Sequence, residues 1–265
     1  MTSLTAARQA SARSLNSNNP NRSNSSYGSA QRIWRIVRLH YTNWRLVVVV
    51  PWAILLGILL VNMAIWYLVV YGTGVRDMDT QYTGSVFSLF GYQAVIGIQA
   101  MSLTFSYAIG IASTRRDFYL GTALWFLLHC AQFTIGIVLL SYLEQWTSGW
   151  GVGGHVFQTI YFGTGGLGER LFTVYFGLVG VMFLGSIFGA VYVRWRTYGL
   201  YAVGAIFVLG LLAIAAVLTL THGWGAVGAW FLANSTPGLI AWSIPFTAAC
   251  AVVAYLALRR AVPRG

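Results

Sequence analysis

The sequence predicts an all-α integral membrane protein: six transmembrane helices, both termini cytoplasmic, preceded by an interfacial amphipathic helix. Three observations carry this reading. Of the 265 residues, 57% are hydrophobic and only 8% charged, against about one-quarter charged in soluble domains. Six apolar stretches, at 46–71, 86–112, 118–143, 171–193, 198–221 and 239–258, are each long enough for a hydrocarbon core of about 30 Å. Lipid offers no partner to an unpaired amide, and none of these stretches alternates as a barrel strand does. Each must therefore satisfy its backbone internally, as a helix. The third observation is the placement of charge: with the N-terminus in the cytoplasm, every arginine but Arg76 and Arg170 falls on the inner side, where basic flanks are held during insertion.

The formal net charge of +11 comes entirely from arginine, with no lysine in the chain. Its one-sided distribution reads as topology and attraction to anionic lipid rather than as a nucleic-acid surface. Without lysine the chain lacks the residue that a Walker phosphate loop, a pyridoxal enzyme or a retinal protein requires. Cys130 and Cys250 lie inside apolar stretches with no C-x-x-C spacing, so neither a disulfide framework nor a zinc site is expected.

Residues 1–30, rich in serine and asparagine, read as a disordered cytoplasmic tail. Residues 31–45 change character. At 100° per residue Arg32, Arg35, Arg38 and Arg45 share one arc, while Ile33, Ile36, Val37, Tyr41 and Trp44 take the opposite one. With Trp34 and Trp44 at its edges, this segment is expected to lie in the headgroup plane before the first crossing. The helical domain then runs over 46–258, followed by a short cytoplasmic tail at 259–265. Inner connections are short. On the outer side, 144–170 is the longest loop, and 223–238 is apolar but too short to span, which predicts a short helix at the outer surface.

Gly163, Gly165 and Gly168 have the G-x-G-x-x-G spacing of a dinucleotide loop. No strand precedes them and no acid follows at the required distance, so they read as a loop entering the fourth helix. His40, His129, His155 and His222 form no H-E-x-x-H or related pattern. His129 and Gln132, three apart, are read as packing contacts between helices. The second crossing is the most polar. Tyr92, Gln93, Gln99, Ser102, Thr104, Ser106 and Tyr107 are too many to leave against lipid, so Tyr92, Gln93, Gln99, Ser102 and Ser106 are candidates for a cavity wall. Asn62 adds a polar group to the first crossing, and Gly185 and Gly189 make a G-x-x-x-G contact surface in the fourth.

Between the second and third crossings stands "GIASTRRDFYLGT". Thr114 and Asp117 have capping-box spacing, so a helix should start here and display Arg115 and Arg116 at a tight corner.

This turn, with an amphipathic helix ahead of six crossings, resembles the permease subunits of ATP-binding-cassette transporters of the type 2, export-like class, in particular small permeases of Gram-positive bacteria and actinobacteria. The motif covers 110–122 and the topology runs from residue 32 to the end. The resemblance implies a dimer with a second permease copy or paralogue, and a separate ATP-binding subunit that carries ATP and magnesium. Thr114, Arg115, Arg116, Asp117 and Phe118 would then be its docking positions. The segment containing Arg32, Trp34, Arg35, Arg38, Trp44 and Arg45 would be the family's elbow helix, and 225–237 its short external helices. The 144–170 loop is long for that class. No catalytic residue, cofactor or metal is expected on this chain, and its place would be a bacterial cytoplasmic membrane. The alternatives are a membrane-embedded enzyme acting on lipid or peptide through His155, His222, Glu144 and Glu169, or a passive channel-like protein. The substrate is not legible.

Overall fold

A computed structural model describes residues 28–74, 84–110, 114–158 and 165–259, without the side chain of Ser106. The expected N-terminal tail to residue 27, the charges Arg76, Asp77 and Asp79 expected on the outer side, Gly163, and residues 260–265 lie outside the described residues.

The α-helices among the described residues can be taken in chain order. They are α1 (Ser29–His40), α2 (Val50–Thr73), entered through a π-helical turn at Arg45–Val49, and α3 (Phe87–Gly110), entered through a 3₁₀ turn at Gly84–Val86. There follow α4 (Arg115–Trp146), α5 (Leu167–Leu220), α6 (Trp224–Ala233) and α7 (Thr236–Arg259). Among the described residues, five segments are long and apolar enough to cross a bilayer: Arg45–Thr73, Gly84–Gly110, Arg115–Trp146, Leu167–Leu220 and Thr236–Arg259. The expected fourth and fifth stretches are joined in α5. Its 54 residues would extend to about 80 Å if straight, more than twice the hydrocarbon thickness. It is not straight, because Arg196 breaks the helical geometry at φ 57°, ψ −148°. The short outer helix expected after the fifth stretch is α6.

The core is built on close approaches at small residues. A Cβ at Gly97 would meet the Met182 carbonyl, one at Gly185 the Ala94 carbonyl, and one at Gly189 the Ile98 carbonyl. The G-x-x-x-G surface read in the fourth stretch thus seats α3 against the first half of α5, backbone to backbone. The pairs Ala94–Gly185 and Ile98–Gly189 advance together, so these two segments run parallel. By contrast, Tyr119 donates to the Ala251 carbonyl and Arg115 to that of Arg259, which makes α4 and α7 antiparallel. Cys130 and Met182, both buried, join α4 to α5 through sulfur. Asn62 reaches the Ser85 hydroxyl at 3.1 Å and so ties α2 to the start of α3.

These directions sort the polar residues to two ends of the bundle. Arg32, Arg115, Asp117 and Arg259 meet at one end. Glu144 and Arg170 stand at the other, where α4 finishes and α5 begins. The described chain therefore starts and stops at the same end of the bundle.

Candidate functional site

The corner before α4 is built from its first residues upward. Thr114, with extended backbone, accepts from the Asp117 amide at 3.1 Å, which supplies one of the orphan donors of the helix start. Helix α4 then runs on without interruption for 32 residues, about 48 Å. The corner is thus the protruding end of a membrane helix, with no separate helix between Thr114 and Phe118. Residues 111–113 lie outside the described residues.

Three fastenings hold this end. Arg32 Nε donates to Asp117 Oδ2 at 2.8 Å, with Asp117 buried. His40 bonds the Thr122 hydroxyl at 3.0 Å. Arg115 donates to the Arg259 carbonyl at 2.7 Å. Between the first two, Gly121 lets α1 lie flat, since its Cβ would stand 2.6 Å from that of Ile36. The apolar arc of the amphipathic helix is consequently occupied by protein. Ile36 and Val37 are fully covered, whereas Trp34 and Trp44 remain exposed. Arg35, Arg38 and Arg45 are exposed as well.

Of the five corner residues singled out in the sequence, Thr114 and Arg116 face outward and Arg115 is half-buried. Asp117 and Phe118 point inward, Phe118 with no exposure and in edge contact with Phe105. The inward pair positions the corner, and the outward residues present it.

His40 extends this anchoring inward. Its ring stacks on Trp125 with centroids 4.4 Å apart, and Trp125 stacks in turn on His129. Burial is the main reason that the His40 imidazole is pushed down to about 3, with His129 a lesser cause. At neutral pH it is uncharged, and it serves as a hydrogen-bonding wedge between α1 and α4.

The polar face of α3 divides. Gln93, buried, accepts from His129. Tyr92 donates to the Leu46 carbonyl and Ser102 to that of Ile98 in its own helix. Gln99 and Thr104 line a cleft of about 200 Å³ against His40, Thr42, Asn43 and Trp125. Gln132, expected beside His129, is on the outer surface of α4, so only His129 of that pair is a contact inside the bundle.

At the opposite end a second constellation appears. Glu144 is fully buried, and its carboxylate accepts from Trp150 Nε1 at 2.9 Å and from the amides of Val156, Phe157 and Gln158 at 2.9, 3.1 and 2.8 Å. One side chain gathers residues 150–158 over the end of α4, and Gly154 rests on the ring of Trp66. Arg170, also buried, donates to the Gly165 carbonyl, the Ser141 hydroxyl and the Gln145 amide oxygen, and lies 4.2 Å from the centre of the Tyr142 ring. His155 Nδ1 approaches Glu144 Oε1 to 3.7 Å. This is the pairing an enzyme reading would use, but the carboxylate is already committed to four N–H donors. Glu169 is exposed on the first turn of α5 and His222 is at the turn into α6, so neither joins this group. Among the described residues, no three of His, Cys, Asp and Glu converge on a metal position.

No family model, no curated protein and no solved structure matches this chain.

Proposed function

We propose that this chain is the permease subunit of an ATP-driven transporter of the ATP-binding-cassette type, working as an exporter and moved by a separate ATP-binding subunit at Thr114, Arg115 and Arg116. The reading counts six crossings by treating α5 as two membrane helices that meet at Arg196. An even count returns the C-terminus to the side of the N-terminus, and the arginine bias makes that side cytoplasmic.

The observation that carries the proposal is the mechanical position of the corner. It is one rigid end of α4, bonded to α1 through Asp117 and to α7 through Arg115. A partner pushing there moves three helices together, where a free loop would absorb the displacement. ATP and magnesium belong to the partner, whose closure on nucleotide would draw the corners of two permeases together. That motion would shift the cavity between them from inward to outward access. Arg116, exposed and cationic, suits an acidic groove.

The test is recovery of an ATPase subunit with the tagged chain from its native host, comparing the wild type with Arg116→Glu and with the Arg115→Glu, Arg116→Glu pair. Wild-type chain is expected to bring down a Walker-motif subunit. Both variants should insert normally and lose that subunit. Equal recovery from the double variant ends the docking assignment, and no ATPase with the wild type ends the transporter reading.

A further inference from the structure

The ends of α4 and α7 that meet at the arginine corner leave a groove of about 260 Å³ between them. Arg116, Tyr119 and Leu120 line it from α4, and Ala251, Val252 and Tyr255 line it from α7. Residues three and four apart fall on one helix face, so each helix gives the groove a single wall. Its floor is aromatic, with the Tyr119 and Tyr255 rings 5.2 Å apart. The Tyr119 hydroxyl is spent on the Ala251 carbonyl. Neither the Arg116 guanidinium nor the Tyr255 hydroxyl has a hydrogen-bond or ion-pair partner among the described residues.

Polarity is graded along this groove. Arg116 is exposed in the first turn of α4, and Arg259, also exposed, ends α7 one turn beyond Tyr255. Further from that end, Leu120 is 39% and Val252 57% exposed. No described carboxylate balances the cations: Asp117 is buried against Arg32, and Glu144 and Glu169 stand at the opposite end of the bundle. The arginine that attracts an anion is itself part of the wall. A small soluble anion would leave Leu120 and Val252 uncovered, and hydrocarbon alone would leave the guanidinium without a partner. The occupant that satisfies both has an anionic head and apolar tails, in that order along the two helices.

We propose that this groove holds one anionic glycerophospholipid, its phosphate on Arg116 and the Tyr255 hydroxyl and its acyl chains along Leu120 and Val252. The lipid would fill the seam between α4 and α7 beside the corner. The assignment does not rest on the ATPase reading: Thr114 and Arg115 are not part of the groove, and a guanidinium has five N–H donors to share.

The test is native mass spectrometry of the full chain in mild detergent, titrated separately with dioleoylphosphatidylglycerol and dioleoylphosphatidylcholine. One phosphatidylglycerol per chain is expected at concentrations about tenfold below those needed for phosphatidylcholine. Arg116→Gln should weaken phosphatidylglycerol by about tenfold, the scale of one lost charge-assisted hydrogen bond. Val252→Trp, which keeps every charge and fills the groove, should weaken it as much. Arg38→Gln, on the far side of α1 from this groove, should leave it unchanged. Equal retention of the two lipids, wild-type binding by Arg116→Gln or by Val252→Trp, or an equal loss with Arg38→Gln overturns the assignment. A photoreactive phosphatidylglycerol on the wild-type chain decides independently of any folding defect. Cross-links within 116–120 or 251–259 support the site, and cross-links confined elsewhere overturn it.

Discussion

Arg32 and Asp117 stand 85 positions apart in sequence and meet at 2.8 Å, joining the amphipathic helix to the helix that carries the arginine corner. The Arg32 side chain is 45% exposed and that of Asp117 8%, so the pair is partly screened and is worth at most about 1 kcal/mol. Asp117→Asn keeps the shape but removes the charge. The expected result is a fall of a few degrees in the thermal midpoint in detergent, with Arg32→Gln giving nearly the same fall and the double variant little more. A double variant whose loss equals the sum of the singles would show that the two side chains do not act together.

His40 gives this junction a pH dependence. The folded state holds its imidazole near 3 against an ordinary value of 6.5, so between those values the unfolded chain binds a proton that the folded chain excludes. Stability from this group is complete above pH 6.5 and is lost progressively as the pH falls toward 3. His40→Gln has no such proton to take up. Its thermal midpoint should lie below that of the wild type at pH 7.5, and the gap should narrow as the pH drops to 5. A constant gap across that range removes His40 as the source.

The parts legible in the sequence were those with strong periodicity or length. The apolar stretches fall on the helices within a few residues, because a membrane helix must satisfy its own backbone. Thr114 as N-cap and Gly185 with Gly189 as a contact surface were readable from local spacing. What the spacing left hidden was long-range. The side chain of Asp117, read as a cap, turns to Arg32, and the apolar arc of α1, read as lipid-facing, covers α4. Helical periodicity says which face is apolar but not whether lipid or protein covers it. The Glu144 constellation was equally hidden, since three of its donors are backbone amides that carry no sequence signature. The available signal was the rarity of the residue: a chain with five acids places one at the end of a membrane helix.

Glu144 organises the segment after α4 through charge as well as shape. Glu144→Ala would leave the indole and three amides without an acceptor; those of Val156 and Phe157 are buried, each left at a desolvation cost of about 1–3 kcal/mol before relaxation. The loop is then expected to detach from Trp66, and residues 149–158 should become sensitive to chymotrypsin at Trp150 and Phe157 while the membrane helices stay intact. Glu144→Gln retains one oxygen and should give an intermediate rate. Protection equal to wild type in the alanine variant would mean that the loop is held by its apolar contacts alone.

Arg196 breaks α5 with a backbone at φ 57°, ψ −148°, a region close to one that only glycine occupies without strain and that costs other residues about 1–3 kcal/mol. Glycine removes the steric conflict between Cβ and the adjacent peptide groups, whereas alanine keeps it. Arg196→Gly should therefore raise the thermal midpoint by a few degrees over Arg196→Ala, even though glycine is the poorer helix former. Both variants lose the same guanidinium and its approach to the Tyr192 ring, so the difference between them isolates the backbone. An Arg196→Gly midpoint at or below that of Arg196→Ala would mean that the chain turns there in an ordinary conformation, and the division of α5 at this residue would lose its support.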